Sequence, residues 1–157
     1  MYGERLRRLR EESPLIQCLT NYVAMDLSAN ALLAIGASPA MVHAREEAGE
    51  LAGLASAVVL NIGTLSPPWV EAMHDAARVA RSRGRPVVLD PVAAGATRYR
   101  RETSVALLET GVDIVRGNAS EIRALVGGAA AGRGVDATDP VEAALEAAAQ
   151  LAARTGA

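Results

Sequence analysis

The chain has 157 residues, of which 50% are hydrophobic and 22% are charged, and its formal net charge is −2. This length favours a single domain over residues 1–157, and the charge gives no reason to expect nucleic acid or an anionic membrane as a partner, because both bind concentrated basic surfaces. All apolar runs are shorter than the roughly 18 to 20 residues that cross a bilayer. The single cysteine excludes an internal disulfide, so we expect a cytoplasmic protein.

Short apolar runs alternate with segments of helical period, which is the pattern of repeated β-α units. The predicted strands are residues 15–20, 39–42, 57–62, 86–89 and 112–115. The predicted helices are residues 25–35, 46–54, 69–83, 102–109, 118–126 and 140–153, with a loop over residues 127–136. Pro67 and Pro68 open one helix, and Gly36 and Gly84 end two of them. The alternation predicts an α/β fold with a mainly parallel sheet.

Polar residues close most of the predicted strands. In open parallel sheets, ligands bind at the carboxyl ends of the strands. The residues that close the strands here are Thr20 and Asn21, Met41 and His43, residues 61–64, Asp90, and residues 116–118. These residues are therefore the first candidates for a ligand site.

Two charged residues at this edge each allow two interpretations. Asp90 could hold Mg²⁺ beside a triphosphate, or it could simply begin a turn with Pro91. Arg116 follows an apolar strand and needs an anion, which could be a phosphate or a structural partner such as Asp113 or Glu121.

Residues 118–121 (NASE) fit an N-x-x-E motif for metal and phosphate, and they also fit a helix cap. In the cap, Asn118 stands at the N-cap and Glu121 reaches back from the third helical position. Both interpretations can hold at once. Gly63, in the segment 61–64, could let the backbone approach a ligand closely, or it could serve a tight strand-to-helix turn.

The remaining reactive or aromatic side chains favour ordinary packing. Cys18 lies inside the first predicted strand with no neighbouring group to lower its pKa. His43 and His74 lack metal-ligand spacing, which favours surface or satisfied polar roles. Trp69 most simply packs a helix face, and Met41 packs the core or forms an apolar pocket wall.

Five segments in register resemble the hydroxyethylthiazole kinase family. They are residues 14–23 (PLIQCLTNYV), 34–41 (AIGASPAM), 60–67 (LNIGTLSP), 88–92 (VLDPV) with 95–97 (GAT), and 116–121 (RGNASE). The resemblance covers about residues 13–136. It implies a ribokinase-like three-layer α/β/α sandwich that uses ATP and Mg²⁺ to phosphorylate the hydroxyl of 4-methyl-5-(2-hydroxyethyl)thiazole, a salvage step toward thiamine. It also implies a homotrimer with sites between subunits.

The resemblance also implies roles for four residues around the thiazole. Asn21 and Met41 would contact the ring, while Gly63 and Thr64 would help to build the pocket from a neighbouring subunit.

Four further residues would serve the nucleotide and the metal. Asp90 and Glu121 would organise Mg²⁺ and the phosphates. Arg116 would hold an ATP phosphate, and Asn118 would bind ATP beside it.

Members of the family continue beyond the position of Ala157, and the resemblance puts the catalytic cysteine in that continuation. We therefore expect no catalytic residue among these 157, and Cys18 does not take that role. The chain alone should show no measurable thiazole-dependent ATP consumption. Two alternatives stay open: a non-catalytic thiazole-binding or assembly fragment, and a sibling kinase acting on a hydroxymethylpyrimidine or a sugar.

Overall fold

The computed structural model describes residues 2–127 and 141–157. The strands in this part of the chain are β1 (Leu15–Leu19), β2 (Ser38–Ala40), β3 (Ala57–Asn61), β4 (Val87–Asp90) and β5 (Ile114–Val115). The helices are α1 (Tyr2–Glu12), α2 (Met25–Ile35), α3 (Arg45–Leu54), α4 (Pro67–Ser82), α5 (Arg98–Glu109), α6 (Ala119–Leu125) and α7 (Val141–Thr155). The fold is α/β, as predicted.

The five strands form one parallel sheet in the order β2-β1-β3-β4-β5. The chain moves from β1 to one edge and then crosses back to β3 on the other side of β1. This reversal places the carboxyl ends of β1 and β3 side by side. In doubly wound sheets such a switch point opens a crevice in which ligands bind.

The core lies mainly on one face of the sheet. Alternate residues of the three central strands point to this face, and the fully buried ones include Leu19, Val58, Leu60, Val87 and Leu89. Helices α3 and α4 pack closely together, helped by Gly49 and Gly53 of α3, at each of which an added Cβ would lie 3.6 Å from Val79. This packing fixes the strands and hence the loops at their carboxyl ends.

Most predicted elements match the structure within one or two residues, and α2 has the predicted bounds, ending at Gly36 with a positive φ of 101°. Three differences matter. The helix α1 was not predicted, α5 begins at Arg98 rather than residue 102, and β5 contains two residues rather than four. The predicted loop after Gly127 lies outside the described residues. Across 2–127 and 141–157, no helix is long and apolar enough to cross a membrane.

Candidate functional site

Four polar side chains form a continuous row along the carboxyl ends of β1, β3, β4 and β5. Nδ2 of Asn21 donates to Oδ1 of Asn61 at 2.8 Å, and Nδ2 of Asn61 donates to Oδ2 of Asp90 at 3.1 Å. Arg116 donates to the same Oδ2 at 2.9 Å. We call these four residues the polar row. Three of them, Asn21, Asp90 and Arg116, are predicted site residues, and the structure brings these three together.

Asp90 uses only one of its carboxylate oxygens within the polar row. Its side chain is 14% exposed, and Oδ2 accepts the bonds from Asn61 and Arg116. Oδ1 is buried and has no hydrogen-bond partner among the described residues. A buried carboxylate oxygen without a partner is costly unless a cation or donor reaches it. Hard oxygen ligands of this kind suit Mg²⁺, so Asp90 fits the predicted metal.

The partner of Arg116 is Asp90, so the predicted alternatives Asp113 and Glu121 are wrong. Asp113 instead accepts the backbone N–H of Val87 at 2.8 Å and pairs with Arg81. These two interactions, the backbone bond first, lower the pKa of Asp113. The guanidinium of Arg116 is 77% exposed, so it keeps N–H groups that face solvent beside Asp90.

Asn118 and Glu121 form the predicted capping box at the start of α6. Oδ1 of Asn118 accepts the N–H of Glu121 at 3.0 Å, and Oε2 of Glu121 accepts the N–H of Asn118 at 2.8 Å. Oε1 of Glu121 accepts the N–H of Ala93 at 2.9 Å, and Ala93 has a positive φ of 53°. Glu121 is buried, and each of its oxygens already holds a backbone N–H, so it supports the β4–α5 loop as well as the helix.

Gly63 lies against Asn21 at the switch point. A Cβ added at Gly63 would lie 2.7 Å from Nδ2 of Asn21, which is closer than a Cβ atom comes to a non-bonded atom. The backbone N–H of Gly63 donates to Oδ1 of Asn61 at 2.9 Å. The absence of a Cβ at Gly63 therefore makes room for the side chain of Asn21, and the close approach of Gly63 to a ligand stays a prediction.

Met41 and Thr64 are half-buried and follow β2 and β3 respectively. The loop that carries Met41 is fixed by Gln17, a fully buried polar residue of β1. Nε2 of Gln17 donates to the carbonyl oxygens of Val42 at 3.1 Å and Ala48 at 3.0 Å. The contacts of Met41 and Thr64 with a substrate stay predictions.

Arg100 is a site residue that the sequence reasoning missed. Its NH1 donates to the carbonyl oxygens of Ile62 at 2.8 Å and Val92 at 2.9 Å, and its NH2 donates to that of Gly63 at 2.8 Å. One side chain thus ties the β3–α4 turn to the β4–α5 loop. The available signal was an arginine in the first turn of a helix that follows the loop rich in Gly and Ala.

The predicted packing role of Cys18 is confirmed, since the residue is buried and desolvation raises its pKa to about 11. His74 has a satisfied polar role, with its ring Nδ1 3.2 Å from Oγ1 of Thr110, and burial lowers its pKa. His43 differs from the prediction. Its ring lies 4.5 Å from that of Trp69, and its Nδ1 is buried without a partner among the described residues.

A cavity of about 430 Å³ lies between α5 and α6 and borders Arg154 of α7. None of the residues of the polar row lines it, so its size alone does not make it the reactive centre. Among the residues that the structure describes, no group of three or more His, Cys, Asp or Glu could hold a metal ion.

Comparison with known proteins agrees with the resemblance seen in the sequence. The model of the hydroxyethylthiazole kinase family matches residues 6–157. A hydroxyethylthiazole kinase of Rhizobium johnstonii (strain DSM 114642 / LMG 32736 / 3841) is 58% identical over 152 residues, which cover 97% of this chain and 57% of that protein. One from Cereibacter sphaeroides (strain ATCC 17029 / ATH 2.4.9) is 56% identical over 155 residues, covering 99% of this chain and 59% of that protein.

Among solved structures, the hydroxyethylthiazole kinase protein from Pyrococcus horikoshii OT3 superposes with a TM-score of 0.77 at 51% sequence identity. That match covers 81% of this chain and 51% of the other. The chain spans a little more than half the length of the relatives named here. Because the family model matches residues 6–157, which is nearly the whole chain, this chain belongs to the hydroxyethylthiazole kinase family.

Proposed function

We propose that the chain serves the ATP-dependent phosphorylation of the hydroxyl of 4-methyl-5-(2-hydroxyethyl)thiazole in thiamine biosynthesis or salvage. The observation that carries the proposal is the polar row, which gathers amide, carboxylate and guanidinium groups at the switch point of a parallel sheet. Family membership supplies the substrate. In this reaction the alcohol oxygen bonds to the γ-phosphorus while the bond to the β,γ-bridging oxygen breaks, releasing ADP.

The nucleotide side of the site is assigned to the Asp90 end of the polar row. The exposed guanidinium of Arg116 binds a phosphate of ATP, because its planar N–H groups match phosphate oxygens. Oδ1 of Asp90 holds Mg²⁺ directly or through water, and the ion, when bound, neutralises phosphate charge. Asn118 and Glu121 act beside them mainly by shaping the loop, given that both side chains are engaged in the capping box.

The acceptor side of the site is assigned to the Asn21 end. Asn21 is held from two directions, by Asn61 through Nδ2 and by the N–H of Ala24 at 2.9 Å through Oδ1. A fixed amide of this kind orients a small polar substrate with little loss of conformational entropy. Met41 supplies an apolar contact to the ring, and Gly63 with Thr64 closes the pocket.

Assembly as a homotrimer belongs to the same proposal. Support comes from the apolar surface around α2, where Val23 is 93% exposed and Leu27 and Leu33 are also exposed. Contiguous exposed apolar residues commonly mark an interface between protein chains. Light scattering after size exclusion tests this assembly: a trimer mass supports it, and a monomer mass at high protein concentration contradicts it.

A cytoplasmic location is also proposed, since Cys18 is a free, buried thiol.

Isothermal calorimetry with the thiazole alcohol and with Mg·ATP tests the function directly. We expect saturable binding of both ligands, no comparable binding of hydroxymethylpyrimidine, and ATP binding that no longer depends on Mg²⁺ in Asp90→Asn. Coupled measurement of ADP release then separates two cases. Binding of both ligands without ADP release is the result expected of this chain alone, and binding of the thiazole without Mg·ATP favours a non-catalytic thiazole-binding chain. Absence of thiazole binding contradicts the proposal.

A further inference from the structure

A second cavity, of about 350 Å³, lies beside the acceptor end of the polar row. Its walls come from the segments that follow β1, β2 and β3, and they include Tyr22, His43, Ser66 and Trp69. Tyr22 comes directly after Asn21, and His43 comes two residues after Met41. The cavity therefore opens on the same edge of the sheet as the predicted thiazole contacts.

Three of the residues that line this cavity, Tyr22, His43 and Trp69, carry rings, and the charged residues Arg45 and Glu46 line it as well. The rings of Tyr22 and Trp69 have centroids 4.9 Å apart, and those of His43 and Trp69 are 4.5 Å apart. Both pairs are tilted, which is a favourable arrangement for aromatic groups. An aromatic cluster next to an open volume presents ring faces and edges on which a flat ligand ring can stack.

Two buried nitrogen atoms of the cluster have no hydrogen-bond partner within residues 2–127 and 141–157. Trp69 is only 4% exposed, and its Nε1 has no hydrogen-bond partner among the described residues. Nδ1 of His43 is also buried and has no hydrogen-bond partner among the described residues. Leaving a buried polar nitrogen unsatisfied costs about 1–3 kcal/mol, so each of these atoms calls for a partner such as a water molecule or a ligand atom. The hydroxyl of Ser66, at the N-cap of α4, also makes no capping bond to the helix.

We propose that Tyr22, His43 and Trp69 bind the heteroaromatic ring of the acceptor alcohol and determine the preference for it. The proposal rests on the proposed function and extends it to residues outside the polar row. Trp69 donates its Nε1–H to an acceptor atom of the ring, His43 bonds to a second polar atom, and Tyr22 stacks on the ring. The cavity is near the lower end of the roughly 300–1,000 Å³ usual for ligand sites, which suits one small ring.

The test uses the fact that Trp69 is the single tryptophan of the chain. The whole chain is titrated with 4-methyl-5-(2-hydroxyethyl)thiazole while the fluorescence of Trp69 and the heat of binding are recorded. We expect saturable quenching or a spectral shift with the same midpoint as the heat. By calorimetry, Trp69→Phe and His43→Phe should each weaken binding about three- to tenfold, because each keeps an aromatic ring and removes the nitrogen that bonds to the ligand.

Two further variants make the test decisive. Tyr22→Leu lies at an exposed position, so it should fold normally and still weaken binding by about two- to tenfold through loss of stacking. His74→Gln alters the other histidine of the chain, which bonds to Thr110 instead of the cluster, and should bind like the wild type. Circular dichroism of each variant identifies any that does not fold.

The outcomes separate this proposal from the function on which it rests. Thiazole binding by calorimetry with unchanged Trp69 fluorescence, or with unchanged affinity in Trp69→Phe, His43→Phe and Tyr22→Leu, overturns the aromatic site and leaves the proposed function standing. Absence of any thiazole binding by the wild type overturns both.

Discussion

Replacing Arg100 with glutamine removes the guanidinium group that joins the two loops on either side of the polar row. Three hydrogen bonds of 2.8–2.9 Å to backbone carbonyl oxygens are lost together. A hydrogen bond contributes about 0.5–1.5 kcal/mol net, and more when the donor is charged, while carbonyls left unsatisfied add a cost. Because Arg100 is only half-buried, water can replace part of this bonding. We therefore expect Arg100→Gln to lower the free energy of unfolding by about 2–4 kcal/mol.

Urea unfolding followed by circular dichroism measures this change. Arg100→Lys keeps the charge but cannot serve three carbonyl oxygens from a planar group, so it should lose about half as much. Arg98→Gln is the matched control, since Arg98 is an exposed residue of the same helical turn whose ion pair with Glu102 is long, at 3.7 Å. Such a pair contributes about 0–1 kcal/mol. If Arg100→Gln is no less stable than Arg98→Gln, the idea that Arg100 holds the two loops together is wrong.

Three further predictions follow from single residues. Gly63→Ala should force Asn21 aside and cost about 1–3 kcal/mol of stability in urea, because its Cβ would lie 2.7 Å from Nδ2; unchanged stability would refute the steric conflict. Burial raises the pKa of Cys18 to about 11, so the thiol should resist a thiol reagent at pH 8 until the chain unfolds. The contribution of Cys18 to stability should decrease only above about pH 9, where the thiol of the unfolded chain ionises. Burial lowers the pKa of His74, so the contribution of His74 to stability should be full above about pH 6.5 and should decrease as the pH falls. His74→Gln should flatten this decrease. An unchanged pH profile of stability in His74→Gln would show that His74 does not cause it.

The sheet and the helices that pack on it could be predicted because their apolar periods are strong. The elements that were missed lack this signal. Helix α1 is exposed along its length and is supported by pairs such as Arg8 with Glu12 at 2.6 Å. The first turn of α5 is polar, and its start is set by Oγ1 of Thr97, which accepts the N–H of Arg100. Helical periodicity cannot reveal either feature.

The shortened strand β5 has a local cause. The sequence predicts a strand from residue 112, but the carboxylate of Asp113 accepts the N–H of Val87. The parallel pairing of β5 with β4 begins just after this side-chain bond, at Ile114, and it ends at Val115. The competition between a short polar side chain and the backbone for one N–H is not visible in the pattern of apolar residues.

The sequence predicts which strand ends carry the polar residues of the site, but it does not predict which of these residues bond to one another. Strand order decides which ends meet, and it places Asp90 of β4 between Asn61 of β3 and Arg116 after β5. From sequence distance alone, Asp113 and Glu121 were the natural partners of Arg116. The correct partner comes from the neighbouring strand, 26 residues away in sequence. Arg100 was missed for the same reason, since its three acceptors lie on loops that are adjacent only in the fold.

The two carboxylates predicted to organise Mg²⁺ occupy different environments, and this difference separates their roles. Asp90 has one oxygen in the polar row and one buried oxygen without a partner among the described residues, whereas both oxygens of Glu121 hold backbone N–H groups. Asp90→Asn should therefore abolish the Mg²⁺ dependence of ATP binding while changing the melting temperature little, because its partner Arg116 is largely exposed.

Glu121→Gln should do the reverse. An amide offers one acceptor oxygen in place of two, so the variant should lose about 1–2 kcal/mol of stability, as capping substitutions do, and still bind Mg·ATP. Calorimetry with and without Mg²⁺, together with thermal unfolding, measures both effects on the same samples. If Glu121→Gln instead removes the Mg²⁺ dependence and leaves stability unchanged, the metal is held by Glu121, and the capping box does not limit its use as a ligand.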